Sequence, residues 1–240
     1  MTLAHRVALL GLLACSLPAG AAAPCEPVDL AFDKPAAGWA HLPLSRLKRD
    51  TAYTVEQEGG RNVLRASAER SASLYVARLA APMPAPATLS WSWKTDALVP
   101  GADNGDSKRE DAPLRVLAAF GGDPKTLPED EQRRMTRAER LSGRSPPFAT
   151  LMYIWGDKVA AGSITPSAHT GQLKMLAVAA GADGLGRWHT VQRDVAADYR
   201  RAFGAEPGPL LGVAVMTDTD NTDTKAVGLY ADIRLGCAGN

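Results

Sequence analysis

Seven residues near the C-terminus, Thr217-Asp218-Thr219-Asp220-Asn221-Thr222-Asp223, form the densest polar cluster of the chain. Oxygens spaced this closely suit a hard cation such as calcium. That makes Asp218, Asp220 and Asn221 candidate metal ligands. The spacing is not that of an EF-hand: Asp223 stands where the loop needs glycine, and Leu229 where it needs its terminal acid. A second reading is an Asx-rich turn whose side chains bond nearby backbone and hold no ligand. A third adds Asp232 and treats Asp218, Asp220 and Asp232 as candidate acids of a glycan hydrolase. All three stay open on spacing alone.

The residues after the turn alternate. Val227, Leu229, Ala231 and Ile233 fall on one side; Tyr230, Asp232 and Arg234 fall on the other. A Tyr/Asp/Arg face is suited to hydrogen-bonding a polar ligand. With Lys94 and Trp155 it completes an expected ligand set of Lys94, Trp155, Asp218, Asp220, Asn221, Tyr230 and Asp232. The ligand expected is a saccharide or another polar molecule of the cell envelope, bound without catalysis. Acyl-transfer chemistry lacks its signature, because no Gly-x-Ser-x-Gly elbow occurs. His5, His41, His169 and His189 show no metal-ligand spacing, and Trp188-His189 reads as packing. The glycines of 181–186 lack phosphate-loop spacing. No cofactor is expected, with calcium as the alternative.

The segments that must position these residues read mostly as strands. Leu89, Trp91 and Trp93 alternate with Ser90, Ser92 and Lys94. Strand patterns also cover 28–33, 52–56, 62–66, 71–79, 114–120, 149–155, 172–180 and 187–195, and Gly59-Gly60 marks a hairpin. The segments 210–216 and 225–235 read as a terminal hairpin around the acidic turn. The polar stretch 100–113 reads as a solvated loop. Residues 128–141 read as a surface helix, with Pro128 and three acids at its start and Arg137 and Arg140 near its end. One or two further helical turns fit 196–203. Short strands with Gly/Pro turns indicate an all-β chain: a single β-sandwich, jelly-roll or lectin-like, with one surface helix.

Bulk properties narrow the classes. The net charge of +1 provides no basic excess to neutralise phosphates, so nucleic acid is not an expected partner. His5 and Arg6 precede an apolar run from Val7 to Leu17, followed by the small residues Ala19 to Ala23. This is the pattern of an export leader, too short to span a bilayer. The expected domains are therefore a signal peptide over 1–23 and one sandwich over 24–240. Leu12-Leu13-Ala14-Cys15 gives a competing reading, in which Cys15 carries a lipid anchor. The mature protein is then periplasmic or secreted, or else a lipoprotein. Cys25 and Cys237 remain at its two ends, and an oxidising compartment favours a bridge between them.

Several stretches carry a family resemblance. Trp91-Ser92-Trp93-Lys94, Tyr153-Ile154-Trp155, Asp198-Tyr199, Met216-Thr217-Asp218-Thr219-Asp220-Asn221-Thr222 and Tyr230-Ala231-Asp232-Ile233 resemble a bacterial family of exported proteins known only as a domain of unknown function. The likeness spans about Phe32 to Leu235. It implies one domain and an envelope location, and brings neither an activity nor catalytic residues. The loop 100–113 and the helix 128–141 depart from the family pattern.

Overall fold

The computed structural model describes residues 26–32, 38–84, 87–167 and 170–237. The expected leader, Cys15, Cys25 and His169 lie outside the described residues. In chain order the strands begin with β1 (Val28–Asp29), β2 (Trp39–Pro43), β3 (Ala52–Glu58) and β4 (Arg61–Glu69). Then come β5 (Ser73–Met83), β6 (Ala87–Lys94) and β7 (Arg115–Phe120). After α1 (Glu129–Ser142) the chain forms β8 (Ala149–Gly156), β9 (Ile164–Pro166), β10 (Leu173–Ala180) and β11 (His189–Asp194). It ends with α2 (Val195–Phe203), β12 (Leu210–Met216) and β13 (Lys225–Cys237).

The strands make two sheets. One runs β11-β6-β13-β4-β3, with β1 also paired to β13. The other runs β2-β5-β12-β7-β8-β10-β9. Alternation decides which side chains turn inward. Trp91 and Trp93 of β6, Leu64 of β4 and Tyr230 of β13 share one hydrophobic cluster with Val116 of β7, Tyr153 of β8 and Val213 of β12. Both sheets thus contribute to one core. The Gly59-Gly60 turn joins β3 to β4 as expected. Both glycines have positive φ (60° and 81°), the condition for a two-residue turn that follows strand twist.

The expected terminal hairpin does not form. β12 pairs with β5 and β7 in the seven-stranded sheet, whereas β13 pairs with β1, β4 and β6 in the six-stranded sheet. The acidic turn is a crossover between sheets. The physical reason is visible in β12, which is apolar on both faces. Val213 and Val215 join the main core, while Ala214 and Met216 join a second cluster on the opposite face. Such a strand is best placed in a sheet interior with a neighbour on each side, and β5 and β7 take both positions.

Among the described residues two α-helices are present: the expected surface helix, and α2 over the 196–203 stretch expected to make one or two turns. α1 buries none of its side chains and ends at Gly143 in the left-handed region (φ 70°). α2 is capped by Asp194, whose side chain accepts from the Ala197 N–H, and buries Val195, Ala196, Asp198 and Tyr199. Tyr199 packs edge-on against Phe120 at 4.7 Å, so α2 is bound to the core. None of the helices among the described residues is long and apolar enough to cross a membrane.

Candidate functional site

The acidic crossover is held from within. Asp218 is 5% exposed. Arg115, itself 2% exposed, grips it with two parallel bonds: Nε to Oδ1 at 2.7 Å and Nη2 to Oδ2 at 2.9 Å. The Ala112 N–H also donates to Oδ1 at 3.1 Å. Arg115 lies across the outward face of the seven-stranded sheet, where Nη1 reaches the Met152 Sδ at 2.9 Å. Asp111 binds the other side of the crossover. It accepts from the Thr222 N–H and hydroxyl, both at 2.7 Å, and from the Asn221 N–H at 3.2 Å. Asn221 donates to the Ser107 carbonyl at 3.3 Å.

Carboxylate oxygens of Asp111, Asp218 and Asp220 lie within 4.8 Å of one another. Asp111 thus joins two of the expected metal residues, Asp218 and Asp220. Two protein cations already counter the cluster, Arg115 on Asp218 and Lys48 on Asp220 at 2.5 Å. Burial pushes Asp218 up to about 6, with the Asp111 carboxylate adding to the rise and Arg115 opposing it. Arg115 is raised because Asp218, Glu110 and Asp111 outweigh its own burial. The two shifts have different causes: lost hydration disfavours the Asp218 carboxylate, whereas neighbouring carboxylates favour the Arg115 guanidinium.

Sequence reading treated 100–113 as solvated. Ala102, Asn104, Asp111 and Ala112 are buried there instead. Asn104 ties the loop to itself by donating to the Glu110 and Asp111 carbonyls at 2.9 and 3.1 Å. The loop is a brace for the crossover, and alternation patterns cannot reveal that.

Another grouping escaped sequence inspection. Ser73 Oγ lies 3.0 Å from His41 Nε2, and Asp50 Oδ1 lies 3.8 Å from the same nitrogen. A catalytic triad places acid and nucleophile on opposite ring nitrogens. Here both face Nε2, and Ser73 is 0% exposed and accepts from the Thr51 N–H at 3.0 Å. The trio is therefore structural.

The accessible polar surface lies on the outward face of the six-stranded sheet. Lys94 ends β6 beside Leu229 of β13, and Leu229 in turn faces Arg65 of β4. Trp188 immediately precedes β11, whose register pairs His189 with Trp93, so the indole arrives beside Lys94. The Arg61 guanidinium lies 4.0 Å above the Trp188 ring, and Lys94 Nζ lies 5.8 Å from its centre. Arg61 also pairs with Asp232. Lys94 binds Glu58 at 2.6 Å, and this bond is the main reason the Glu58 carboxyl titrates below its ordinary range. Next to these groups a groove of about 280 Å³ has Val227 and Leu229 in its lining, with Arg65, Lys94, Asp96 and Lys225 around them. That volume falls just below the range of ligand pockets, about 300–1,000 Å³.

The expected ligand residues therefore separate into three places. Lys94 and Asp232 share the outward face, linked through Glu58, Arg61 and Trp188. Asp218, Asp220 and Asn221 stay at the crossover, with Asp218 sealed beneath Arg115. Trp155 and Tyr230 are core residues, at 1% and 0% exposure, which corrects their assignment to a ligand face. The Trp155 Nε1–H donates to the Gly181 carbonyl at 2.9 Å, and the ring meets His189 edge-on at 4.9 Å. The Tyr230 hydroxyl donates to the Met216 carbonyl and accepts from the Arg115 N–H at 3.2 Å.

Tyr230 and Asp232 were expected on one face because they are two apart. A bulge breaks that count. The β13–β6 register shifts between Ala231 and Arg234, and Asp232 has φ 53°. The extra residue lets Tyr230, Ile233 and Leu235 all enter the core while Asp232 turns to Arg61. Trp188, expected within a strand over 187–195 as a packing residue, instead stands just before β11 against Arg61 and Lys94.

A family model described as "Protein of unknown function (DUF3047)" matches residues 37–234. A search of the curated proteins finds no match. Among solved structures the chain is similar to the family 11 carbohydrate-binding module of the cellulosomal cellulase Lic26A-Cel5E of Clostridium thermocellum. The identity is 8% and the TM-score 0.44, over 90% of this chain and 97% of that one. It is also similar to endoglucanase 3 of Trichoderma harzianum, from family GH12. There the identity is 10% and the TM-score 0.41, over 89% of this chain and 97% of that one. At these TM-scores the likeness is too weak to carry a functional assignment.

Proposed function

The chain belongs to the DUF3047 family of proteins of unknown function, and we propose that it is an exported, non-catalytic binding module for a saccharide or comparable polar ligand. Its two sheets form one jelly-roll-like sandwich in this reading. The observation that supports it is the outward face of the six-stranded sheet. There the Arg61–Trp188 stack and the groove share one residue, Lys94. The Trp188 ring and the Asp232 carboxylate hold Arg61 from two sides, so its guanidinium is positioned before a ligand arrives. Glu58 and Asp232 add acceptors, and Leu229 and Val227 offer apolar contact for the C–H face of a sugar ring.

A glycan hydrolase using Asp218, Asp220 and Asp232 is less well supported. Hydrolysis needs two carboxyl groups flanking one bond. Asp218 is closed in by Arg115 at the crossover, and Asp232 lies on β13 of the six-stranded sheet, paired with Arg61.

The test is calorimetry on the mature protein after a glycan-array screen. Lys94→Met and Trp188→Ala should each weaken binding about tenfold or more, the cost of a hot-spot side chain. Asp218→Asn should leave the affinity unchanged. The proposal falls if no glycan binds, or if Asp218→Asn removes as much affinity as Lys94→Met.

A further inference from the structure

We infer that the ligand of the outward face is an uncharged polyol, so that the module selects neutral over acidic saccharides. This rests on the proposed saccharide-binding reading and goes further, because it names the class. The inference comes from how the charges around the groove are arranged. Each of its three cations faces an anion: Lys94 with Glu58 at 2.6 Å, Lys225 with Glu69 at 3.0 Å and Arg65 with Glu56 at 3.9 Å. Arg61, over Trp188, is likewise paired with Asp232. The remaining charged residue of the lining is Asp96, which is exposed and, among the described residues, has no ion-pair partner.

An acidic sugar would gain little here. To bind Lys94 its carboxylate would have to approach Glu58, and like charges brought together on one site destabilise the complex. Asp96 would add to the repulsion. A neutral hydroxyl meets no such opposition. The Lys94 ammonium has three donors and an ionised carboxylate about four acceptor sites, so an ion pair leaves capacity on both partners. The pairs also hold their members in place, which lowers the ordering cost of binding. The face therefore presents fixed donors and acceptors with no net positive charge, over the apolar Leu229 and Val227.

The experiment measures affinity for soluble neutral polysaccharides (β-glucan, xylan, mannan) beside acidic ones (alginate, polygalacturonate), with wild type and Glu58→Gln. A neutral ligand should bind in preference to every acidic one. Its affinity should be nearly the same at low and at high salt, because screening acts on charge pairs. Glu58→Gln frees Lys94 from its counter-ion and should raise binding of an acidic polysaccharide about two- to fivefold, the range of an exposed charge pair. Preferential binding of alginate or polygalacturonate by wild type would overturn the inference while leaving a saccharide-binding module standing. So would a Glu58→Gln variant whose neutral-to-acidic selectivity equals that of wild type. Binding to no polysaccharide of either kind would overturn both.

Discussion

Removing the Asp218 carboxylate should destabilise the protein severely, and the structure sets the scale. Asp218→Ala deletes both bonds from Arg115 and the bond from the Ala112 N–H. The guanidinium, 2% exposed, is then left with the Glu110 carbonyl and two methionine sulfurs. A buried charge stripped of its partner costs about 3–5 kcal/mol. With a urea m-value of about 2 kcal/mol per molar, the midpoint should fall by about 1.5–2.5 M. Unfolding can be followed by the emission of Trp91, Trp93 and Trp155, which are 0–1% exposed. The double variant Arg115→Met/Asp218→Ala removes the stranded charge as well. It should recover most of the loss, since an apolar replacement of a buried ion pair is often nearly neutral. A midpoint shift below about 0.5 M for Asp218→Ala, or single-variant costs that simply add in the double variant, would refute the coupling.

Three other outcomes are expected. Asp218 is held at about 6 against an ordinary 3.8, so the folded state binds extra protons between those values. The stability it contributes is present below pH 3.8 and lost as pH rises to about 6; Asp218→Asn should remove that fall from urea midpoints measured between pH 4 and 6, and an unchanged slope would contradict it. Millimolar calcium should leave the melting temperature unchanged, because Lys48 and Arg115 already counter two of the three clustered carboxylates; a rise of several degrees would show that the ion displaces them. A Cys25–Cys237 bridge should appear in the mass of unreduced mature protein, and its reduction should cost about 5 kcal/mol for a loop of this length; two free thiols would exclude it. β1 pairs with β13, Val28 opposite Leu235, so the strand that starts three residues after Cys25 in sequence lies beside the strand that carries Cys237.

How much of the site was legible varies by residue. The inward face of β6 was, because the alternation of Trp91 and Trp93 with Ser90, Ser92 and Lys94 is a local signal that the core then follows. Trp155 was legible as a strand residue but not as a core one, since an aromatic on a strand suits either a groove or an interior. Lys94 was placed on the right face, because Ser90, Ser92 and Lys94 alternate away from the indoles. Tyr230 was misplaced by the bulge at Asp232. Asp218 looked like a ligand group because its partner, Arg115, lies 103 residues away and carries no mark of the pairing in its own neighbourhood.

The Thr217–Asp223 run shows where local information stops. By itself the sequence determined that a polar turn separates two strands, that Gly59-Gly60 turns a hairpin and that polar residues from Glu129 onward make an exposed helix. Each depends on backbone preferences and periodicity within a few residues. Only the tertiary structure decided that the two strands enter different sheets and that Arg115 neutralises Asp218. It also decided that Trp188, Arg61 and Lys94 meet on an outward face. Those outcomes depend on which strands become neighbours, and neighbour choice is a competition among all the apolar faces at once.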